Sequence, residues 1–488
     1  MFFNTYEFIF LFLPAVLVGF LFIATRIGHS WAVGWLTVAS LLFYASLDGA
    51  NVFVLIASAI VNFAVARSID RYRHASRAMA AAMMWVGIAL NVSLFVFIKY
   101  LRPWAQPGGD AAIVLGISFF TVQQIIYLVN AYDQDSGRPS IGQYLLFTTF
   151  FPYVVAGPIV RRDEVLHQMK ALSARSVGKV FVPSVMLFSM GLFKKVVLAD
   201  SIAPAVDQVF NAAYSGLELR AFDAWSGALL CTLQLYFDFS GYSDMAAGLA
   251  GLFGIHLPRN FHSPYKARSI MAFWQRWHMS MTRFLTDFIY LPLALVFMRV
   301  IVRRRFRGLP QIALGMVVPL AVTFLVAGMW HGGGENFVAF ALMMALALGA
   351  NYAWQKLQLW SPPGILCWAL TMAVVIPGMI LNRADNLDTA LRVLQSMLGL
   401  SGGGARLLDV QSALAWTGIL GAIVLMAPNT HEILAKVPVV LEGPWEVAPL
   451  RRDLARLQEK WTPLLAAVAF GASVVSLTKA TEFLYYRF

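Results

Sequence analysis

Apolar residues in this chain come in long runs separated by short polar gaps. The first run, Tyr6 to Thr25, has no basic residue before it; the first one is Arg26. A cleavable signal peptide carries its positive charge first, so this run reads as a retained helix with its N-terminus outside. Further runs follow near 31–47, 50–66, 78–100, 110–130, 143–160, 180–198, 222–254, 270–298, 309–330, 336–356, 365–381, 411–428 and 464–480. Several reach the roughly 20 residues that a helical span requires, while others are short or interrupted by Gly and Pro. The short alternating segments of a lipid-facing barrel are missing. The pattern predicts an all-α, polytopic membrane protein, one membrane domain over 1–488.

Basic clusters constrain the topology. They are Arg67, Arg71, Arg73 and Arg77; Arg161, Arg162, Lys170, Arg175 and Lys179; Arg259, Lys266 and Arg268; and Arg299, Arg303, Arg304, Arg305 and Arg307. If all four are cytoplasmic by the positive-inside rule, then 143–160 and 270–298 each enter and leave on one side. The first contains Pro152 and Gly157-Pro158; the second contains Arg276, His278, Arg283, Asp287 and Pro292. Irregular backbone at membrane depth survives only when protein shields it or it lines a cavity. Re-entrant or broken helices flanking a cavity open to the cytoplasm are therefore expected. The polar segment 429–463, with Pro438, Pro444 and Pro449, is expected to lie on the cytoplasmic surface.

Composition narrows the class further. Hydrophobic residues make up 59% of the chain and charged residues 13%, about half the charge of an ordinary soluble protein. Mean hydropathy is +0.68. A soluble enzyme, a disordered chain and a fibrous repeat are excluded. The net charge of +12 fits cytoplasmic loops; no basic arm with interleaved aromatics points to nucleic acid. Cys231 and Cys367 lie in apolar runs and read as small core residues. No His/Cys/carboxylate set has zinc-like spacing, so no metal is expected.

Ionisable groups inside apolar runs cost roughly 2.5–3.5 kcal/mol each on insertion scales, so each calls for a reason. Two regions concentrate them. One runs from Gln234 to Asp244, followed by Trp274-Gln275-Arg276-Trp277-His278; the other is Gly328-Met329-Trp330-His331-Gly332-Gly333-Gly334-Glu335-Asn336. His331 follows an uncharged run, Gln311 to Trp330, and precedes three glycines that allow close approach of backbone or ligand. A neutral imidazole there has the chemistry to take a proton from a hydroxyl attacking a thioester. The alternative is a histidine hydrogen-bonded at a helix end. His278 shares a helical face with Trp274 at i, i+4 if the helix is regular. It reads either as a second group in the same cavity or as part of an interfacial aromatic belt. Asp238 and Asp244 point to different faces unless Ser240-Gly241 breaks the helix, and pairing of the aspartates with Arg276 or Lys266 is the expected structural role. Lys194 and Lys195 are expected to meet headgroups or snorkel. Asp238, Ser240, Tyr242, Trp274, Arg276 and Trp330 are the candidates for shaping a pocket.

At these regions the sequence resembles the membrane-bound O-acyltransferase family, in its alginate O-acetyltransferase branch. The resemblance is carried by Gly116 to Thr121 with Tyr127 to Val129, Phe150 to Pro152 through Ala156 to Arg161, Gly191 to Asp200 (GLFKKVVLAD) and Tyr236 to Gly248 (YFDFSGYSDMAAG). Arg259-Asn260-Phe261, Phe273 to Leu293 and Met329 to Gly332 complete it, so the family-like core is about 110–340. The resemblance implies a helical fold around a central tunnel, with His331 as the characteristic histidine and His278 at the second active-site position. It also implies acetyl transfer from cytoplasmic acetyl-CoA, with no tightly bound cofactor, across a bacterial inner membrane. A periplasmic acetyltransferase partner would then modify an exopolysaccharide such as alginate. In that scheme His331 is the general base and His278 positions or polarises the reacting groups. The chain departs from the family pattern after His331, where Glu335 and Phe340 to Ala345 replace a tryptophan and a glycine-histidine pair, and at Leu381 to Ala384. The alternatives are a relative acting on peptidoglycan, cellulose or teichoic acid, and a polysaccharide or ion transporter.

Overall fold

The structure is a computed structural model that describes residues 1–102, 114–133, 139–358, 360, 362–434, 440–441, 452–479, 481 and 483–484, the side chains of 174–176, 179, 452–460 and 479 excepted. Residues 110–113 of the run 110–130, the side chains of Arg175 and Lys179, and residues 435–439 and 442–451 of the segment 429–463 lie outside that description. Among the described residues, nine helices are long and apolar enough to cross a membrane. The only strand pairing among them is a parallel two-residue match of Leu257–Pro258 with Val440–Leu441. The chain is an all-α, multi-pass membrane protein.

Contacts divide the chain into two compact units. The first comprises Met1–Phe193, Tyr242–Arg259 and Leu434–Arg487. Its helices Val52–Tyr72 and Arg77–Val96 are joined by a reciprocal amide pair. Asn62 Nδ2 donates to Asn91 Oδ1 at 3.1 Å, and Asn91 Nδ2 returns a bond to Asn62 Oδ1 at 2.7 Å. Such mutual satisfaction is how polar side chains hold apolar helices together.

The run 143–160 lies in this unit and is broken, as Pro152 and Gly157-Pro158 lead one to expect. Ile141–Thr149 opens with a capping box between Ser140 and Gln143 and is only about 13 Å long, far short of a span. Turns follow from Phe151, and the residues from Phe150 to Val160 are all buried. Their backbone finds acceptors locally, and Ser40 Oγ takes the Phe151 N–H at 3.1 Å. The rings of Phe8, Phe12, Phe43 and Phe253 enclose Phe151.

The second unit comprises Lys194–Gly241 and Asn260–Ile433. Here the expectation for 270–298 fails in part. The run breaks only at Gln275–His278, between helices Ile270–Trp274 and Met279–Leu285. From Met279 the helix continues to Arg304, which makes it long enough to cross a membrane outright at roughly 39 Å. Pro292 does not stop it, because the preceding turn Thr286–Tyr290 is widened to a π-helix. A widened turn removes the clash between a proline ring and the carbonyl one turn back. The same device precedes Pro14, after Glu7–Phe12, and Pro319, after Ala313–Val317.

Another expectation needs correction. Ser240-Gly241 does not break the helix, which runs unbroken over Ala221–Gly251. Residues 452–463 of the segment 429–463 belong to the helix Arg452–Ser476, with Pro463 inside it.

Gly248 marks a close approach of two helices in the first unit. A Cβ there would lie 2.7 Å from both the Phe188 nitrogen and the Ser184 carbonyl oxygen, neither of which can swing away. Gly248→Leu is expected to cost about 1–3 kcal/mol, read as a lower unfolding temperature and a smaller monodisperse fraction in detergent. An unchanged unfolding temperature would contradict the close approach.

Candidate active site

The site grows out of the break at Gln275–His278. Ser269 caps the short helix Ile270–Trp274, accepting from the Ala272 N–H at 3.0 Å. The chain then turns, and His278 adopts a left-handed conformation (φ 43°, ψ 52°). For a residue with a Cβ this costs roughly 1–2 kcal/mol, so the surroundings must impose it. Asn260 does so. Its backbone carbonyl accepts from the Met279 N–H at 2.9 Å, and its Oδ1 accepts from the Ser280 N–H at 3.2 Å and the Ser280 hydroxyl at 3.0 Å. His278 Nδ1 lies 3.1 Å from the same Oδ1. The Arg276 carbonyl, in turn, accepts from the His262 N–H at 3.0 Å.

Aromatic rings wall the break. Trp277 stacks on Phe273 at 5.6 Å and meets Phe261 edge-on at 5.1 Å. Tyr265 is tied down at both ends, its hydroxyl donating to the Thr232 carbonyl and its own carbonyl accepting from Trp368 Nε1. His278 meets the Phe239 ring edge-on at 4.6 Å and is 3% exposed.

His331 is the last residue of helix Val318–His331, closed by the Gly332 N–H donating to the Gly328 carbonyl at 2.8 Å. The Trp330 ring neighbours both histidines. It is 4.7 Å from His331, nearly perpendicular, and 6.3 Å from His278. His278 lies just before the span Met279–Arg304. Burial, and after it the charge of His331, holds its imidazole well below the ordinary histidine value.

The glycines after His331 have a different use from the one expected. A Cβ at Gly332 would run into the Phe337 ring, and one at Gly334 into Asn336 Oδ1. The space they leave is filled by the chain's own next helix, with Phe337 parallel to the His331 ring at 6.4 Å. Asn336 Nδ2 donates to the carbonyls of Leu381 and Ala384 at 3.0 and 2.9 Å. The divergent segment Leu381 to Ala384 therefore anchors the loop that follows His331.

The remaining candidates separate. Trp274 sits edge-on to Phe324 and Phe340. It does not share a regular helical face with His278, because the chain breaks between them. Its Nε1 is enclosed with no hydrogen-bond partner among the described residues, as is the Ser240 hydroxyl. Arg276 joins this network through its backbone. Tyr242 belongs to the first unit, stacked on Phe3 at 5.2 Å and edge-on to Phe483 at 4.5 Å.

Asp238 does not pair as expected. Lys266 donates to the Ala427 carbonyl, and the cation beside Asp238 is Lys195, at 2.7 Å. Lys195 also holds Asp200 at 2.7 Å, and its side chain is wholly buried. It neither snorkels nor meets a headgroup, because it lies on the π-helical segment Lys194–Ala199, which turns it inward. Lys194 instead donates to Thr430 Oγ1 at 3.0 Å. Sequence reasoning missed this cluster and the grip of Asn260. Asn260 stood within a motif block, but nothing in the spacing linked it to His278. Lys195→Met strands two buried carboxylates and is expected to cost about 3–5 kcal/mol. Adding Asp238→Asn should restore part of that loss in thermal unfolding. Equal stability of wild type and Lys195→Met would contradict the buried pairing.

Residues 83–362 match the family model described as MBOAT, membrane-bound O-acyltransferase family. The chain is 34% identical over 442 residues to a peptidoglycan O-acetyltransferase of Helicobacter pylori, covering 82% of this chain and 80% of that one. It is 30% identical over 420 residues to the probable alginate O-acetylase AlgI of Pseudomonas aeruginosa, covering 81% and 75%. A teichoic acid D-alanyltransferase of Streptococcus thermophilus is 28% identical over 259 residues, half of this chain. The buried His278, the neighbouring His331, the broken helices and the extent of the family match lead to one conclusion: this chain is a member of the membrane-bound O-acyltransferase family, and an acyltransferase.

Proposed function

We propose that this protein transfers acetyl groups from cytoplasmic acetyl-CoA across the bacterial inner membrane for O-acetylation of a polysaccharide. The acetyl group would cross through a tunnel in the fold and reach the glycan with the help of a periplasmic acetyltransferase partner. The observation that supports this reading best is the gathering of His278, Trp330 and His331 in a chain of this family. His331 acts as general base. The attacking hydroxyl oxygen bonds to the thioester carbonyl carbon, its proton passes to the imidazole, and the carbon–sulfur bond breaks to release the coenzyme A thiolate. The thiolate takes up the proton, which returns the imidazole to its neutral form. His278 positions the reacting groups. Trp274, with an enclosed indole N–H, and Trp330, Arg276, Asp238 and Ser240 shape the surroundings.

An exopolysaccharide such as alginate is the acceptor that the alginate O-acetylase relatives support. Peptidoglycan is the second reading, favoured by the 34% identity to an enzyme of that name.

The test uses inverted membrane vesicles, acetyl-labelled acetyl-CoA, and the partner and glycan enclosed in the lumen. His331→Ala at matched protein level is expected to lower label transfer by about 10²–10⁴-fold, with membrane insertion unchanged. Alginate and peptidoglycan fragments supplied separately decide the acceptor. Equal labelling by wild type and His331→Ala would overturn the reading.

A further inference from the structure

The grip of Asn260 on the break has a chemical consequence for His278. Ser280 N–H can only donate, so the Asn260 side-chain atom facing it at 3.2 Å must be the carbonyl oxygen and not the amide nitrogen. That oxygen has no hydrogen to offer. His278 Nδ1, 3.1 Å from the same oxygen, makes a bond there only if Nδ1 carries the proton. A neutral imidazole with a proton on Nδ1 keeps its lone pair on Nε2.

We propose that Asn260 is a positioning residue that holds His278 as the Nδ1–H tautomer, so that Nε2 meets the reacting groups as a hydrogen-bond acceptor. This rests on the reading that His278 belongs to the reacting site, and it narrows what His278 does there. A bare Nε2 has no proton with which to polarise a thioester carbonyl. It recognises a donor: a hydroxyl of a saccharide, or the thiol of departing coenzyme A. Polarising the carbonyl falls to another group.

Several features of the break serve this arrangement. The left-handed backbone at His278 swings the ring to the side of Asn260, and the Met279 N–H on the Asn260 carbonyl keeps the two segments in register. The edge-on Phe239 ring at 4.6 Å limits rotation of the imidazole. A flipped imidazole would bring its Cδ2–H against the carbonyl oxygen and lose the hydrogen bond, while a protonated one would need a counter-charge in a buried setting.

The direct test is nitrogen-15 NMR of the full-length protein in lipid, labelled at histidine, with His278→Gln to identify the His278 signals. The expected spectrum has a protonated Nδ1 and a bare Nε2 near pH 7. A protonated Nε2, or an imidazolium, would overturn the proposal whatever the activity does. The second arm is kinetic. Asn260→Leu is expected to lower kcat about 10–100-fold, as loss of a residue that orients a reactive imidazole does, with the acetyl-CoA KM nearly unchanged. Asn260→Asp keeps the acceptor and should recover most of the rate. In a His278→Gln background Asn260→Leu should cost nothing more. An equal further loss there would make Asn260 a purely architectural residue and refute the positioning role. If the tautomer is as stated but His278→Gln retains full activity, the functional reading of His278 fails and the Asn260 grip stands.

Discussion

A helix that breaks inside an apolar protein must find acceptors for the N–H groups it frees, at a cost of several kcal/mol for each one left bare. In the second unit one residue meets that requirement for two of those groups. Asn260 takes the Met279 N–H on its backbone carbonyl and the Ser280 N–H on its side chain. With those two bonds made, His278 can occupy a left-handed conformation that a non-glycine residue otherwise avoids. The break then sits against Phe239 and Trp330. The same two bonds hold the break that places His278 beside Trp330, the neighbour of His331.

The opposite wall is built with equal economy. Gly332 and Gly334 are small because Phe337 and Asn336 occupy the space beside them. Asn336 hooks the loop onto the end of helix Gly364–Arg383 through the Leu381 and Ala384 carbonyls. Arg383, in that same end, pairs with Asp207 and lies over the Phe210 ring. The loop after His331 is thus tied to a charged pair elsewhere in the unit. Lys195, between Asp200 and Asp238, similarly ties the π-helical turn Lys194–Ala199 to the helix that carries Phe239.

Much of this was legible in the residues. Long apolar runs announce the spans, and an uncharged run ending in Trp330-His331 marks the end of one of them. Pro152 and Gly157-Pro158 announce the broken run 143–160. What was not legible is pairing across distance. Lys195 and Asp238 are far apart in sequence, and no local pattern distinguishes Lys195 from its neighbour Lys194, which faces a hydroxyl instead. The break at His278 was misplaced for a related reason. Helical spacing sets Trp274 and His278 on one face, and that inference assumes a regular helix which Asn260, eighteen residues earlier, pulls apart. Pro292 misled in the other direction: the π-helical turn before it lets the helix run on to Arg304.

That His278 and His331 form one reactive unit across Trp330 is tested most directly by a double-mutant cycle in the acetyl-transfer assay. Groups that act together lose their joint contribution when either is removed, so their effects do not add. His278→Gln with His331→Gln should be no slower than the slower of the two single variants. Losses that multiply, with the double variant slower by the product of the single effects, would mean that the histidines act independently, and the shared site would have to be abandoned.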